Sequence, residues 1–451
     1  MSTTTATFPV LKGRQSFASV TDKISGIPLG HWGWQWWAAV GVFLTLTAAF
    51  FGAIIHLLLT GVGIWGINIP VAWAFAIADY IWWIALGMAG TFISAALLIA
   101  RQRWRTSINR YAETMTVFAV SISGLFPLLH LGRPWFFYWL FPGPNSMNLY
   151  PQWRSSLVWD FFAILSYLIF SILMWYVSLL PDLACLRDRA KKRFAQIFYG
   201  LLALGWRGEA RHWQRQQTLA LLMAGLGVPL VFSVHSMVAL DLSQGIVSGW
   251  HETIFPPYFV AGAIFSGIGL ALVLGIPLRA MLGLHDFITE RHLNAMGKCL
   301  LAAGLVLDYC YLMEYFTAFY SGDEYEISTF IDRWTGDYAA LYWVTITCNV
   351  FVIQALWFKR VRLNPVALFL IGLTALVGMW MERLMFIVTS LYRTQMVSAW
   401  GMYYPTFWDW VFLFGSLSMF ILLFLLFVRV LPVVSIAEMR HLVHDLKEKR
   451  A

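Results

Sequence analysis

Long apolar runs separated by short polar segments recur along the whole chain. Ten of these runs exceed roughly 18 residues, the length that a helix needs to cross a hydrocarbon layer about 30 Å thick. The alternating apolar and polar strands of a membrane barrel are absent from the pattern, and a helix satisfies its own backbone within lipid. The pattern therefore predicts an all-α polytopic membrane protein of about ten transmembrane helices. The predicted spans are centred approximately on 36–60, 70–100, 112–132, 155–180, 217–241, 256–280, 297–320, 338–358, 364–390 and 409–431.

These spans divide the chain into a tail at 1–34, a membrane domain at 35–431 and a second tail at 432–451. The first tail is polar and rich in Ser and Thr. It lacks a short apolar core followed by a cleavage site, so we expect no cleavable signal peptide.

Composition supports the membrane assignment and excludes several other classes. The chain is 60% hydrophobic and 12% charged, whereas a soluble protein must present a polar exterior to water. Its four cysteines are scattered without CxxC or Cys/His spacing, so we expect neither a disulfide framework nor metal or haem ligation through cysteine. The net charge of +8 could suggest nucleic acid, but the basic residues follow the predicted topology instead. We therefore expect a lipid bilayer and no nucleic acid as partner.

The distribution of Lys and Arg predicts the orientation, because basic residues accumulate in cytoplasmic loops. The two tails and every second loop hold 26 of them, against four in the alternate loops, with Arg383 left inside a span. Both termini are therefore predicted to be cytoplasmic. The alternate, outer loops are dense in Trp, Tyr, Pro and Gly, which predicts a rigid surface for another protein. The outer loop at 321–337 is acidic, which fits a docked partner and equally a solvated charge run.

Ionisable side chains also lie at membrane depth, where they normally face a bundle interior, a partner or a water-filled path. At about 1.5 Å rise per residue, they fall toward the outer side, and no comparable set is expected in the cytoplasmic half. This bias predicts a site and a proton-accessible region that open outward. The residues concerned are His56, Asp79, His130, Asp160, His235, Asp308, Glu314 and Arg383.

His130 and Asp160 are the strongest candidates within this set. They end adjacent spans joined by the aromatic loop at 133–154, so loop geometry is expected to bring them together. A carboxylate and an imidazole beside a small apolar cavity suit quinol oxidation, because each can accept one hydroxyl proton as electrons leave. Glu382 and Arg383, by contrast, could simply neutralise each other.

Several ordered segments around these residues resemble the NrfD-like family of integral membrane subunits. The resemblance is closest to the larger of the NrfD-like subunits in bacterial alternative complex III, and it extends over the third to tenth spans. The segments that carry it are His130-Leu-Gly-Arg-Pro-Trp-Phe, Ser156-Leu-Val-Trp-Asp160, Ser233-Val-His235-Ser-Met-Val, Gly249-Trp-His-Glu-Thr-Ile-Phe-Pro-Pro-Tyr, Tyr311-Leu-Met-Glu314, Trp380-Met-Glu382-Arg383 and Pro405-Thr-Phe-Trp-Asp409.

This resemblance implies two four-helix bundles, roughly 70–242 and 256–390, flanked by two peripheral helices. It further implies a respiratory complex in a bacterial inner membrane, in which the chain oxidises menaquinol near the periplasmic face. Electrons would pass to a 3Fe-4S cluster in a periplasmic iron-sulfur subunit and onward to multihaem cytochrome c subunits, beside a second NrfD-like membrane subunit. This chain would hold no metal or haem itself.

The resemblance also assigns expected roles to individual residues. His130 and Asp160 match the quinol-site positions of the family, and Arg383 is expected as a third member. The candidates for a proton path are Asp79, His235, Asp241, Asp308, Glu314 and Glu382.

Three alternatives remain open from the sequence. The chain could be the paralogous NrfD-like protein of the same complex, which structures the assembly or carries protons without an active quinol pocket. It could anchor a molybdenum enzyme such as polysulfide reductase, although such an anchor typically has eight spans. It could also be a secondary transporter, since transporters bury ionisable residues near the midplane.

Overall fold

The structure is a computed structural model that describes residues 8–141, 152–394 and 396–448. Every regular element within these residues is helical, and no strand occurs among them. The principal helices are α1 Phe17–Leu29, α2 Trp34–Thr60, α3 Phe75–Ile99, α4 Asn109–His130, α5 Ser156–Arg189, α6 Arg193–Leu202, α7 Ala210–Ser243, α8 Phe255–Met281, α9 Glu290–Ser321, α10 Glu324–Thr335, α11 Ala339–Trp357, α12 Pro365–Leu391, α13 Phe407–Val430 and α14 Ile436–Glu448.

Ten of these helices are long and apolar enough to cross a membrane: α2 to α5, α7 to α9 and α11 to α13. The predicted all-α, ten-span fold is thereby confirmed, and most helix ends lie within a few residues of the predicted ones. The chain is a multi-pass integral membrane protein.

The spanning helices pack as two groups of four with a peripheral pair. Helices α3, α4, α5 and α7 form the first bundle, and α8, α9, α11 and α12 form the second. The bundles meet where α3 packs against α8 and α12, and where α7 packs against α8. Helices α2 and α13 pack against each other outside the bundles. The arrangement is the one that the family resemblance implied.

Small residues allow α3 to approach its neighbours closely, as is common between membrane helices. A Cβ atom built on Gly267 of α8 would lie 1.8 Å from the Cβ of Ala89 in α3. A Cβ atom on Gly90 of α3 would lie 2.1 Å from the carbonyl oxygen of Ala112 in α4. Helix α3 is therefore the central element, in tight contact with both bundles.

The two ends of the molecule are called the terminal face and the far face, and different segments form each of them. The terminal face holds α1 and α14, which pack against each other, with α14 also contacting the segment Arg103–Ser107. The far face holds the segments 61–74, 131–141, 152–155, 244–254, 322–338, 392–394 and 396–406. The predicted orientation places the terminal face in the cytoplasm, and it stays a prediction. Residues 142–151 of the aromatic loop lie outside the described residues.

Buried charges occur near the terminal face as well, so the prediction that the cytoplasmic half lacks such a set is wrong. Arg110 forms a 2.7 Å ion pair with Asp182, and both side chains are fully buried. Glu113 accepts hydrogen bonds of 2.6 Å from the hydroxyls of Ser94 and Ser178. The apolar pattern misses Arg110 and Asp182 because α4 begins earlier and α5 ends later than that pattern indicates, whereas Glu113 lies inside a predicted span and was not singled out.

The acidic segment 321–337 is mostly the helix α10 rather than a loop. Asp323 caps its N-terminus by accepting bonds from the amides of Tyr325 and Glu326. Asp332 and Asp337 each form a 2.9 Å ion pair with Arg393. Several acidic residues of the predicted rim therefore form a helix cap or ion pairs within the chain.

Candidate functional site

A cavity of about 600 Å³ lies within the first bundle at its far-face end. Side chains from α3, α4, α5 and α7 line it, and most of them are aliphatic or aromatic. Its volume lies in the range of small-molecule sites, which are mostly apolar with a few placed polar groups. The polar and ionisable residues on its wall are Tyr80, Ser121, His130, Asp160 and Asp241.

His130 reaches the cavity because α4 ends beside it. Gly132, with φ of +71°, donates its amide to the carbonyl of Leu129 at 3.0 Å, and only glycine adopts this left-handed cap easily. The His130 Nε2 atom lies 3.2 Å from the carbonyl oxygen of Ala72, and the ring stacks on Trp65 with centroids 5.9 Å apart. A carbonyl oxygen only accepts, so Nε2 carries the proton in this bond. The Nδ1 atom of the neutral ring is then the basic nitrogen.

Asp160 stands in the second turn of α5 and is 5% exposed. Its Oδ2 atom accepts a hydrogen bond from the Tyr80 hydroxyl of α3. Asp241 of α7 lies close enough to interact with the Asp160 carboxyl and also contacts Ser156. The site therefore holds two neighbouring carboxyl groups from different helices, with a tyrosine hydroxyl fixing one of them. Tyr80 carried no signal in the sequence, because an uncharged tyrosine in an apolar span resembles an ordinary packing residue.

The mouth of the cavity opens toward lipid. Leu157 and Leu165 of α5 line the cavity, yet they are 50% and 37% exposed. Phe141, from the far-face loop, lines it and is exposed as well. A residue that borders a cavity and also faces outward on a spanning helix marks an entrance from the bilayer.

Arg383, the expected third member, does not line this cavity. It is fully buried in the second bundle, where its Nη1 atom lies 3.0 Å from Oε1 of Glu382. Its guanidinium also stacks over the Phe259 ring at 4.0 Å. The other Glu382 oxygen accepts hydrogen bonds from Tyr311 and Asn349. Arg383 and Glu382 thus form a buried pair with their own partners.

The remaining predicted residues fall into separate places. His235 of α7 is fully buried, and neither of its ring nitrogens has a hydrogen-bond partner in the described chain. Its ring lies 6.0 Å from that of Phe259, which places it in the same layer as Arg383. Asp79 accepts a 2.7 Å hydrogen bond from the indole of Trp380 across the contact between the bundles. Asp308 lies apart, 3.2 Å from the amide of Gln354.

Glu314 belongs to an ion cluster at the far face, built around Arg333. The Arg333 guanidinium donates to Glu314 at 2.8 Å and to the Gly249 carbonyl at 3.0 Å. The Gly249 amide in turn donates to Glu326 at 2.7 Å. Glu252 is 8% exposed beside them, and its carboxyl oxygens have no hydrogen-bond partner among the described residues. Burial, reinforced by the Glu314 carboxylate, raises the pKa of Glu252 to about 9.

The sequence pattern did not mark Arg333 and Glu252 as buried groups. Both lie in segments that the pattern predicts as outer loops. The recurrence of acidic residues on both sides of Arg333 was the available signal, because a lone arginine among carboxylates often forms a buried pair.

Residues 65–395 match the model of a protein family described as "Polysulphide reductase, NrfD". A protein of Halobacterium salinarum, provisionally named as a membrane subunit of a dimethyl sulfoxide reductase, is 25% identical over 248 residues. The alignment covers 52% of this chain and 52% of that relative, so the chain spans about half the length of the curated relative it matches. The family match contains both bundles and the whole lining of the cavity.

Proposed function

Since this chain belongs to the NrfD family of membrane proteins, a family of subunits of oxidoreductase complexes, we propose that it binds and oxidises quinol in the His130–Asp160 cavity. One observation carries the proposal: an imidazole, two carboxyl groups and a tyrosine hydroxyl border a single apolar cavity with an entrance from lipid. Quinols partition into the bilayer, so their headgroup needs such a lateral entrance. The polar residues then meet the two hydroxyls of the ring.

The groups of the cavity can accept the protons of the reaction, and the electrons pass to a partner subunit. Oxidation of a hydroquinone breaks two O–H bonds and releases two electrons and two protons. The Nδ1 atom of neutral His130 accepts one proton, and the Asp160 carboxylate accepts the other. Tyr80 holds the Asp160 side chain in place, and Asp241 offers the next carboxyl group onto which a proton can move.

The electrons leave toward a partner subunit at the far face. Members of this family partner iron-sulfur subunits in reductase complexes. The far face presents exposed aromatic side chains, among them Trp135, Trp400 and Tyr404, that suit a docked protein surface. We further propose that this face is periplasmic, that both termini are cytoplasmic, and that the membrane is a bacterial inner membrane. The partners are then a 3Fe-4S protein, multihaem cytochromes and a second NrfD-like protein, with menaquinol as the substrate.

A route for protons through the rest of the chain is also proposed. It begins at Asp241 and uses His235, whose unpartnered ring nitrogens can take part in proton transfer. Asp79, Glu382, Glu314 and Asp308 remain further candidates. Arg383 is removed from the proposed quinol ligands, because it lies in the second bundle outside the cavity.

A second candidate function uses the same cavity for a different acceptor. The relative from Halobacterium salinarum is named as a membrane subunit of a dimethyl sulfoxide reductase, which favours a reductase as the consumer of the electrons. The proteins that copurify decide between the two. Multihaem cytochromes support a complex of the alternative complex III type, and a molybdenum protein supports the reductase.

The test is quinol oxidation by the purified complex carrying Asp160→Asn or His130→Ala. Each variant should assemble normally and lose about 100-fold or more in turnover, the usual contribution of a positioned acid or base. Asp188→Asn makes the same chemical change at the exposed, opposite end of α5 and should turn over at the parental rate. Normal turnover by either cavity variant would show that this cavity is not the site.

A further inference from the structure

Helix α6 has an apolar face that no described residue covers. Its inner side packs on the end of α5 through the buried residues Tyr199 and Ala203. Its other side exposes large apolar residues, with Phe194 at 80% and Leu201 at 72% exposure. The helical spacing places these exposed residues on one side of the helix, and the next turn of chain extends the same surface. The residues of this surface are Phe194, Ile197, Phe198, Leu201 and Leu204.

Two hydrogen bonds fix the depth of α6. The Tyr176 hydroxyl donates to the carbonyl oxygen of Leu202 at 2.6 Å, and Tyr176 lies inside the apolar part of α5. The Tyr199 hydroxyl donates to the carbonyl oxygen of Val430 at 2.9 Å, and Val430 is the last residue of the spanning helix α13. Helix α6 therefore lies level with the apolar ends of its neighbours. Its exposed face meets the bilayer rather than water.

Basic residues surround this helix in sequence and have no acidic partners. Six of them form no ion pair with any carboxylate of the described chain: Lys191, Lys192, Arg193, Arg207, Arg211 and Arg215. Two nearby arginines behave differently, since Arg187 pairs with Asp188 and Arg189 with Asp22. Six unpaired basic residues thus lie at α6 and its flanks.

A cavity of about 470 Å³ lies beside these charges on the terminal face. Arg207 and Arg440, neither of which has an ion-pair partner in the described residues, line it together with Trp206 and Trp213. Guanidinium groups bind phosphate well, and indoles prefer the headgroup level of a membrane.

We propose that α6 and its basic flanks form a binding site for an anionic phospholipid. The phosphodiester contacts the unpaired basic residues, and the acyl chains lie along the apolar surface from Phe194 to Leu204. Free phosphate would satisfy the arginines only, whereas the apolar surface at bilayer depth needs acyl chains to cover it. This inference stands apart from the quinol proposal, because it involves the opposite face of the molecule.

The test is native mass spectrometry of the delipidated, full-length protein titrated with phosphatidylglycerol or phosphatidylcholine. The parent should bind phosphatidylglycerol more tightly. Lys191→Gln/Lys192→Gln/Arg193→Gln should weaken that binding at least about tenfold, since each basic residue near a membrane surface contributes measurably to anionic-lipid affinity. A matched control, Arg291→Gln/Lys298→Gln/Arg360→Gln, removes three exposed and unpaired charges from the same face and should bind like the parent.

A second variant tests the apolar half of the site without changing charge. Leu201→Ser/Leu204→Ser should also weaken phosphatidylglycerol binding, because the acyl chains lose their contact surface. Equal losses in the control triple variant, unchanged binding by both test variants, or full competition by excess inorganic phosphate would each overturn the proposal.

Discussion

The Arg333 ion cluster gives the sharpest test of the structure. Arg333 is fully buried, donates to Glu314 at 2.8 Å and to the Gly249 carbonyl at 3.0 Å, and stacks over Phe330 at 4.4 Å. Replacing it with methionine leaves the Glu314 carboxylate buried without its cation. Breaking a buried pair on one side in this way costs about 3–5 kcal/mol. We therefore expect Arg333→Met to lower the free energy of unfolding by about that amount.

The opposite single variant should be milder, and the double variant milder still. In Glu314→Gln the guanidinium keeps its hydrogen bond to the Gly249 carbonyl and its stacking over the Phe330 ring. Glu314→Gln/Arg333→Met removes both charges together, so no uncompensated charge remains in the apolar site. The double variant should thus recover a large part of the loss caused by Arg333→Met.

The assay is equilibrium unfolding of the purified chain, with the two single variants and the double variant arranged as a double-mutant cycle. A loss within about 0.5 kcal/mol for Arg333→Met is typical of a surface residue and would refute the buried cluster. Strict additivity of the two single changes would refute the pairing itself. The cycle also tests whether Glu314 is a structural residue or part of a proton path. An anchor loses stability when changed, whereas a residue of a proton path loses proton transfer at normal stability.

Two further predictions concern stability. The pKa of Glu252 lies at about 9 in the fold against an ordinary 4.5, so its stabilising contribution is complete below the ordinary value and is lost as the pH rises toward 9. Glu252→Gln should consequently unfold at a higher temperature than the parent at about pH 8, and this difference in unfolding temperature should shrink toward about pH 5. A difference that stays constant with pH would contradict the raised pKa of Glu252. Gly267→Ala should destabilise the chain by about 1–3 kcal/mol, because its Cβ would overlap Ala89. Gly41→Ala, where a Cβ meets nothing within 4 Å, is the matched control in thermal unfolding, and equal midpoints for the two variants would contradict the tight α3–α8 contact.

Much of the fold could be predicted from hydropathy alone. A span in lipid must be apolar over a fixed length, so each of the ten helices left a clear signal. The polar ends of the helices left a weaker signal in the sequence. Helix α5 continues to Arg189 and α10 replaces a predicted loop, because both depend on side-chain contacts rather than on apolar length. A residue such as Asp332 is polar whether it faces water or pairs with Arg393.

The site could be predicted in part. His130 and Asp160 end adjacent spans on the same side, and the structure places both on one cavity wall. Tyr80 and Asp241 complete that wall from helices that are distant in sequence. Depth along a helix can be counted in a sequence, but the direction in which a side chain points depends on how the helices pack.

Asp79 and Tyr80 show that two residues of equal depth can point toward different bundles. They are consecutive residues of α3, about 100° apart around the helix axis and almost equal in depth. Tyr80 points to Asp160 in the first bundle, whereas Asp79 points to Trp380 in the second. No hydrogen bond within the described residues joins these two pairs. In the proposed reaction Asp241 is therefore the nearer acceptor for a proton on Asp160, whereas Asp79 faces the second bundle. The first acceptors of the proposed reaction are for this reason the residues of the cavity, and the groups between the bundles can act only later.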